Sequence, residues 1–341
     1  MQLNPLLTIA IPTYNRSNRL DLALSVLVPQ VLGHPDVEIL ISDNSSPDDT
    51  FDIVQRYLDP AHPNIRYQRH SENIGSDANF ISCYDNASGK YFWLCGDDDI
   101  IIEGALDRLI RHLHAEDYDL IFAHPYSFHN DHIEEYRGDL FNRRYHTITD
   151  ARQFAMTVNI MFTFISGIIV NKERLDASPH EPFANFINTN LVQLSWVLPL
   201  LRTHRRSLVL WQRVVAGRGG HASGYSFGEV FGKAFSIVTK RLLPDQPHLV
   251  RGLMNVTLRT WFPGIIYELR RQGNQNCHME DAPGILRRYY GNNFRYWLFA
   301  YPIFRLPLPL ARIWVRATAI LNKLLQFLAH PGFWRKEIRS A

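Results

Sequence analysis

The hydrophobic positions of this chain come in short unbroken runs that alternate with stretches of helical periodicity. Leu6 to Ile11 is the first run; it closes on Pro12-Thr13-Tyr14-Asn15-Arg16, and an amphipathic stretch with Leu20, Leu22, Leu24, Val26 and Leu27 follows. Val37 to Ile41 closes on Ser42-Asp43-Asn44-Ser45-Ser46-Pro47, and Asp48 to Leu58 reads as the next helix. Ile65-Arg66-Tyr67 leads to the loop Glu72-Asn73-Ile74-Gly75 and to a helix ending near Ala87. Tyr91 to Cys95, a helix from about Glu103 to Ala115, and Leu120-Ile121-Phe122 complete the series. Short apolar strands alternating with helices of about ten to fifteen residues predict an α/β fold, with a parallel sheet covered on both faces. In such sheets ligands lie beyond the carboxyl ends of the strands. The polar clusters PTYNR, SDNSS, ENIG and GDDD all fall at that end.

The last cluster carries the most charge. Asp97, Asp98 and Asp99 follow the run Tyr91 to Cys95 and Gly96 directly. A buried strand that ends in like charges stores repulsion, and a divalent cation such as Mg²⁺ or Mn²⁺ bridging a diphosphate relieves it. An acidic surface loop capping the next helix is the plainer alternative, because Asp is a good N-cap. The other loops add hydroxyls, amides, one carboxylate and a glycine turn, which suit a base, a ribose and close approach of backbone to phosphate. Together they describe a nucleotide diphosphate site. The chain has no GxxxxGK[ST], and no GxGxxG follows its first strand.

Four motifs, IAIPTYNR, VEILISDNSSPDDT, ENIG and YFWLCGDDDII, resemble in order and spacing those of the family 2 glycosyltransferases, over Leu6 to about Ile102. The resemblance implies a GT-A fold, a Rossmann-like nucleotide-diphospho-sugar transferase domain. It points to transferases of bacterial surface polysaccharide assembly, such as the abequosyltransferase-like group. It further implies that Pro12, Thr13, Tyr14, Asn15, Arg16, Asp43, Asn73, Gly75 and Asp97 line the nucleotide. Asp97, Asp98 and Asp99 would be the metal and diphosphate motif, with Asp98 and Asp99 closest to metal and sugar and Asp99 in the chemistry. Two departures stand out. Ser42 occupies the first of the paired aspartates usual at the second strand's end, and the family's first motif Asp falls on either Gly96 or Asp97.

An inverting transferase needs a general base near the acceptor hydroxyl. In the family this is commonly the Asp of a Glu-Asp pair opening a later helix, but the matching stretch here, Phe183 to Leu191, contains no acid. Asp176 and Glu181 are the nearby substitutes, with solvated loop carboxylates as the alternative. Phe164 to Val170 reads as a strand running into a helix at Asn171, in which Ser166-Gly167 either admits a sugar or marks a bulge in a core strand. Gly217 to Tyr225 is glycine-rich; Arg218 and His221 would supply a diphosphate partner and a third metal ligand in a closing loop, unless the segment is a flexible linker.

Composition changes the picture in one place. The 341 residues carry a formal net charge of +3, yet residues 294–341 alone carry +7, which leaves −4 for the rest. Leu310 to Leu328 is helical by pattern, with Arg312, Arg316 and Lys323 on one face and Ile313, Ile320, Leu321, Leu324, Leu325 and Leu328 on the other. A basic face opposite a broad apolar one suits a helix lying in an anionic membrane interface. Packing on the catalytic domain is the alternative. Pro302, Arg305, Pro307 and Pro309 interrupt the preceding apolar stretch, so a spanning helix is not expected. The bases are interleaved with Leu and Ile, which argues against nucleic acid.

The three cysteines, Cys83, Cys95 and Cys277, form no CxxC, and a reducing compartment fits. No signal peptide precedes the first strand. The expected organisation is a GT-A domain over residues 1–216, a lid loop and helical extension over 217–293, and a basic tail over 294–341. The expected activity is metal-dependent transfer from a nucleotide diphosphate sugar to a glycan or polyprenyl-diphosphate-linked acceptor, in the cytoplasm at the inner leaflet. A nucleotidyltransferase is one competitor, although PTYNR lacks the Gly-rich basic loop it requires; a non-catalytic glycan-binding module is the other.

Overall fold

The computed structural model describes residues 5–61, 63–138, 145–219, 224, 226–272, 279 and 281–329, with side chains described up to residue 322 of the last helix. The chain divides into two compact units, Met1–Gly219 and Gly220–Ala341.

The first unit is built on strands β1 (Leu7–Thr13), β2 (Val37–Asp43), β3 (Ile65–Arg69), β4 (Tyr91–Leu94), β5 (Ile100–Ile101), β6 (Leu120–Phe128), β7 (Tyr145–Ile148), β8 (Ile168–Asn171) and β9 (Ser207–Arg218). Their order is β3-β2-β1-β4-β8-β6-β9-β5, with β7 also on β9. The helices are α1 (Ser17–Val31), α2 (Thr50–Gln55), α3 (Ser76–Asn86), α4 (Ala105–Ala115), α5 (Ala151–Val158), α6 (Lys172–Asp176) and α7 (Leu194–Arg202). Every residue of β1, β2 and β4 is buried, which is why these strands read as unbroken apolar runs. Helix α1 turns Leu20, Leu24, Leu27 and Val31 onto the sheet, and α4 does the same with Leu106, Leu109, Ile110 and Leu113.

The sheet is mixed, and this corrects the expectation of a parallel one. β1 to β4 are parallel, but β8 runs antiparallel between β4 and β6. An apolar strand buried on both faces has the same composition in either direction, so its sequence could not give its sense. Ser166 and Gly167 also lie outside the strand, in a tight turn, Ile165–Gly167, that feeds β8. Gly167 is required there because a Cβ would sit 2.9 Å from the Phe164 ring.

Register fixes where the loops emerge. Thr13 pairs with Asp43, Asp43 with Arg69, and Ala10 with Leu94, so the loops after β1 to β4 leave one edge together. The opposite edge is pinned by buried Glu38. Thr8 donates to it at 2.5 Å, Arg66 forms an ion pair with it, and the Ser88 amide donates at 3.2 Å. Gly89 passes against β1 and donates its amide to the Thr8 hydroxyl at 2.8 Å.

The second unit is helical, with α8 (Phe235–Leu242), α9 (Pro247–Val256), α10 (Phe262–Gln272), α11 (Ala282–Tyr290), α12 (Tyr301–Arg305) and α13 (Leu308–Ala329). Wider π turns at Gly228–Ala234, Thr257–Trp261 and Tyr296–Ala300 run into α8, α10 and α12. The buried seam of α13 is Ala311, Thr318 and Asn322, and the Asn322 amide donates to the Arg259 carbonyl at 2.6 Å. The large side chains face away from that seam, with Ile313 63% and Ile320 62% exposed. No helix among the described residues is long and apolar enough to cross a membrane.

Gly89 gives a test of the β1 edge. A Cβ there would lie 2.5 Å from the Thr8 nitrogen and 2.7 Å from the Leu7 carbonyl carbon, and backbone cannot step aside. Gly89→Ala is expected to cost about 1–3 kcal/mol by overpacking, read as a lower denaturant midpoint at unchanged slope.

Candidate active site

The three aspartates follow β4 in a short turn, and each is held by a different part of the chain. Asp97 accepts from the Thr13 hydroxyl at 2.8 Å and from Arg16 at 3.1 Å. Asp98 faces Arg16 at 3.4 Å and Arg19 at 3.3 Å, on the first turn of α1. Asp99 accepts from the Ser166 hydroxyl at 2.5 Å and from the Arg218 amide at 3.0 Å. Burial pushes the Asp97 carboxyl up to about 6, with the Arg16 charge working against that shift. It pushes Asp99 up to about 7, opposed by the Ser166 hydrogen bond. Both carboxylates therefore sit where added positive charge is favourable.

Among the described residues no group of three or more metal-ligating side chains converges into a ready-made cage. The donor set nonetheless fits a hard cation. Mg²⁺ is commonly bound through one or two carboxylates, with substrate phosphates and water completing the shell. Asp97, Asp98 and Asp99 supply such oxygens. His221 lies outside the described residues.

The neighbouring loops are locked to one another. Asn15, with a left-handed backbone, donates its amide to Ser46 at 3.0 Å. The Asn44 side chain donates to Asn73 at 2.9 Å and accepts from the Ile74 amide at 2.9 Å, while Asn73 also accepts from the Gly75 amide. Gly75 needs its freedom, at φ 84°. Tyr14 is exposed beside this edge, and Pro12 is the penultimate residue of β1. Asp43 is fully buried. Its carboxylate accepts from Tyr67 at 2.6 Å and from the Ser46 amide at 2.8 Å, with Arg69 at 3.5 Å. The structure thus gives Asp43 the job of shaping the β2 loop from within.

Three further residues named from the sequence take the following places. Asp176 closes α6, which follows β8; because β8 is antiparallel, α6 adjoins the start of β4, at the edge opposite the aspartates. There Asp176 accepts from Tyr84 at 2.7 Å and Lys172 at 2.8 Å. Glu181 accepts from the Asn185 side chain at 3.4 Å. Arg218 belongs to β9 and not to a free lid; it pairs with Phe128, and its guanidinium stacks on that ring at 4.5 Å. Sequence reading missed Ser166 as the partner of Asp99, and no local signal marks it, since the two are 67 positions apart.

Residues 8–176 match the family described as Glycosyl transferase family 2. The N-terminal unit belongs to that family. Abequosyltransferase RfbV of Salmonella typhimurium is 28% identical, the match covering 58% of this chain and 62% of the relative. The GalNAc(5)-diNAcBac-PP-undecaprenol β-1,3-glucosyltransferase of Campylobacter jejuni is 33% identical over 31% of this chain and 34% of the relative. The chain thus spans less than two thirds of either. The structure of S. aureus TarS in complex with UDP-GlcNAc superposes with TM-score 0.60 at 16% identity, over 92% of this chain and 88% of that one, which shows the shared GT-A fold.

Ser166 is where the family 2 site is most directly tested. Its hydroxyl donates to Asp99 and accepts from the Gly96 amide at 2.8 Å, and the residue is fully buried. Ser166→Ala leaves both groups short of a partner and is expected to cost about 1–3 kcal/mol. An unchanged denaturation midpoint would show that the pin contributes nothing.

Proposed function

We propose that this chain is a metal-dependent glycosyltransferase that takes a sugar from a nucleotide diphosphate donor and delivers it to a glycan or lipid-linked acceptor in surface polysaccharide assembly. One observation carries the reading: in a family 2 domain, the β1 loop, the β2 loop, the Glu72–Gly75 turn and the aspartate triplet converge on a single sheet edge. The names of the Salmonella and Campylobacter relatives, the second describing a diphosphate-linked polyprenol, support the substrate class.

Thr13, Asn15 and the Asn44–Asn73 clamp give the nucleotide a preformed, hydrogen-bonding wall. Arg16 and Arg19 bring cations beside Asp98, within reach of phosphate oxygens as well as carboxylates. Asp97, Asp98 and Asp99 would hold Mg²⁺ or Mn²⁺, which when bound neutralises charge developing on the departing diphosphate. Ser166 and the Arg218 amide keep the Asp99 carboxylate aimed at that point.

The location we propose is the cytoplasmic face of a membrane, through α13. Its outward side combines Leu310, Ile313 and Ile320 with Arg312 and Arg316, an apolar strip flanked by positive charge. Each such base adds about 1 kcal/mol near an anionic surface and is screened by salt.

Turnover of a panel of UDP-, GDP- and CDP-sugars with Mg²⁺ or Mn²⁺ tests the activity. Asp98→Asn or Asp99→Asn is expected to lower the rate by about 10²-fold or more through lost electrostatic stabilisation. Full activity in excess chelator would overturn the metal role. For the membrane, Ile313→Glu combined with Ile320→Glu changes only exposed positions, so the fold survives. The parent is expected to sediment with anionic vesicles at low salt and the double variant to stay in the supernatant; equal sedimentation removes α13 from the surface.

A further inference from the structure

The stretch that matches the family's acidic helix opening has no acid of its own, yet a carboxylate lies directly beneath it. Asn188 and Asn190 both adopt left-handed backbone, at φ 68° and φ 56°. Alternation of this kind turns successive amide N–H groups toward one side and forms a concavity for an anion. Asp77, in the first turn of α3 and only 5% exposed, fills it. Its Oδ2 accepts from the Asn190 amide at 3.0 Å. Burial pushes this carboxyl above the usual carboxylate range, and the hydrogen bond from the Asn190 amide works against that shift.

Asp77 also stands two residues after Gly75, at the end of the turn that Asn44 ties to the β2 loop. Hydrogen bonds from Asn44 thus fix the Asn73–Gly75 turn, and two residues further along the chain the Asp77 carboxylate holds the Asn190 amide. With the Asn190 amide turned in toward Asp77, the loop presents side chains outward. Ile187 is 38% exposed, and Asn188 and Asn190 are exposed beside it. Two carboxamides next to an apolar side chain suit the hydroxyl and C–H faces of a pyranose.

We propose that Asp77 is a positioning residue, which holds residues 187–190 as a platform for the acceptor sugar in fixed register with the donor loops. This rests on the glycosyltransferase reading above. Asp77 touches no substrate; it acts through the loop. The alternative that it merely stabilises the fold makes different demands on experiment.

The full-length protein is compared with Asp77→Asn and Asn190→Gly. Asp77→Asn keeps the volume but turns an amide toward amide donors. Asn190→Gly keeps the left-handed backbone and the N–H and removes only the outward side chain. Two quantities are read. One is amide hydrogen exchange at residues 188–192. The other is the ratio of transfer to hydrolysis for the donor turned over in the panel, with methyl α-mannopyranoside and octyl β-glucopyranoside as acceptor probes. Asp77→Asn is expected to speed exchange in the loop about tenfold or more with β1 and β4 amides unaffected, and to lower the ratio about tenfold through a raised acceptor KM. Asn190→Gly is expected to leave exchange at parental rates and still lower the ratio. Unchanged exchange in Asp77→Asn, or faster exchange with an unchanged ratio, overturns the proposal. So does a normal ratio in Asn190→Gly, which keeps the question decidable should Asp77→Asn fail to fold. A parent that turns over no donor at all defeats the transferase reading, and the platform with it, while exchange still shows whether the clamp exists.

Discussion

Three carboxylates delivered by one buried strand cannot share one environment, and the rest of the domain is arranged around that constraint. Leaving even one of them uncompensated at low dielectric would cost several kcal/mol. The chain divides them. Asp97 turns to β1 through Thr13, Asp98 to α1 through Arg16 and Arg19, and Asp99 to the far half of the sheet through Ser166 and the Arg218 amide. The same three side chains that make the site negative therefore knit together segments that are otherwise remote in sequence. Stability and chemistry are coupled here, as is usual where charges are gathered for function.

That division also explains what could be read from the sequence and what could not. β1, β2 and β4 announce themselves because both faces are buried, and each closes on polar residues that the parallel register brings to one edge. The convergence of these loops was legible for the same reason: it follows from local pattern plus one topological rule. Partnerships were not. Ser166 looks like an ordinary core serine until β8 is known to run antiparallel, which sets its turn beside Gly96. Asp176 looked like a candidate base for want of another acid, and only the direction of β8 shows that it sits at the wrong edge. Arg218 sits in a glycine-rich run that suggests a loop, but pairing with β6 extends the strand through it.

In the helical unit, periodicity located α13 and left open whether its broad apolar face meets an interface or the protein. Pattern rules weight large apolar residues, and they assign the face with most of these to the protein core. Here the core side is the narrow line of Ala311, Thr318 and Asn322, where small or hydrogen-bonding side chains allow close packing and Asn322 finds a carbonyl. Ile313 and Ile320 are left outside. An arrangement that leaves large apolar side chains in water is costly for an isolated protein and reasonable for one that meets an interface.

The acid missing from the loop at residues 183–191 and the acid buried at Asp77 belong to one argument. A loop opening with its own carboxylate points charge outward, toward an acceptor hydroxyl. This loop does the reverse. The left-handed Asn190 turns its amide inward to Asp77, and neutral carboxamides are left outside, so the negative charge holds the loop in shape. A carboxylate anchor is better suited to that than an apolar contact, because a hydrogen bond from an amide to a carboxylate oxygen fixes direction as well as proximity. The loop thereby presents a polar and uncharged surface at the level where the α3 helix begins. Charge at this edge is then concentrated in the aspartate triplet, where a diphosphate and its cation can use it.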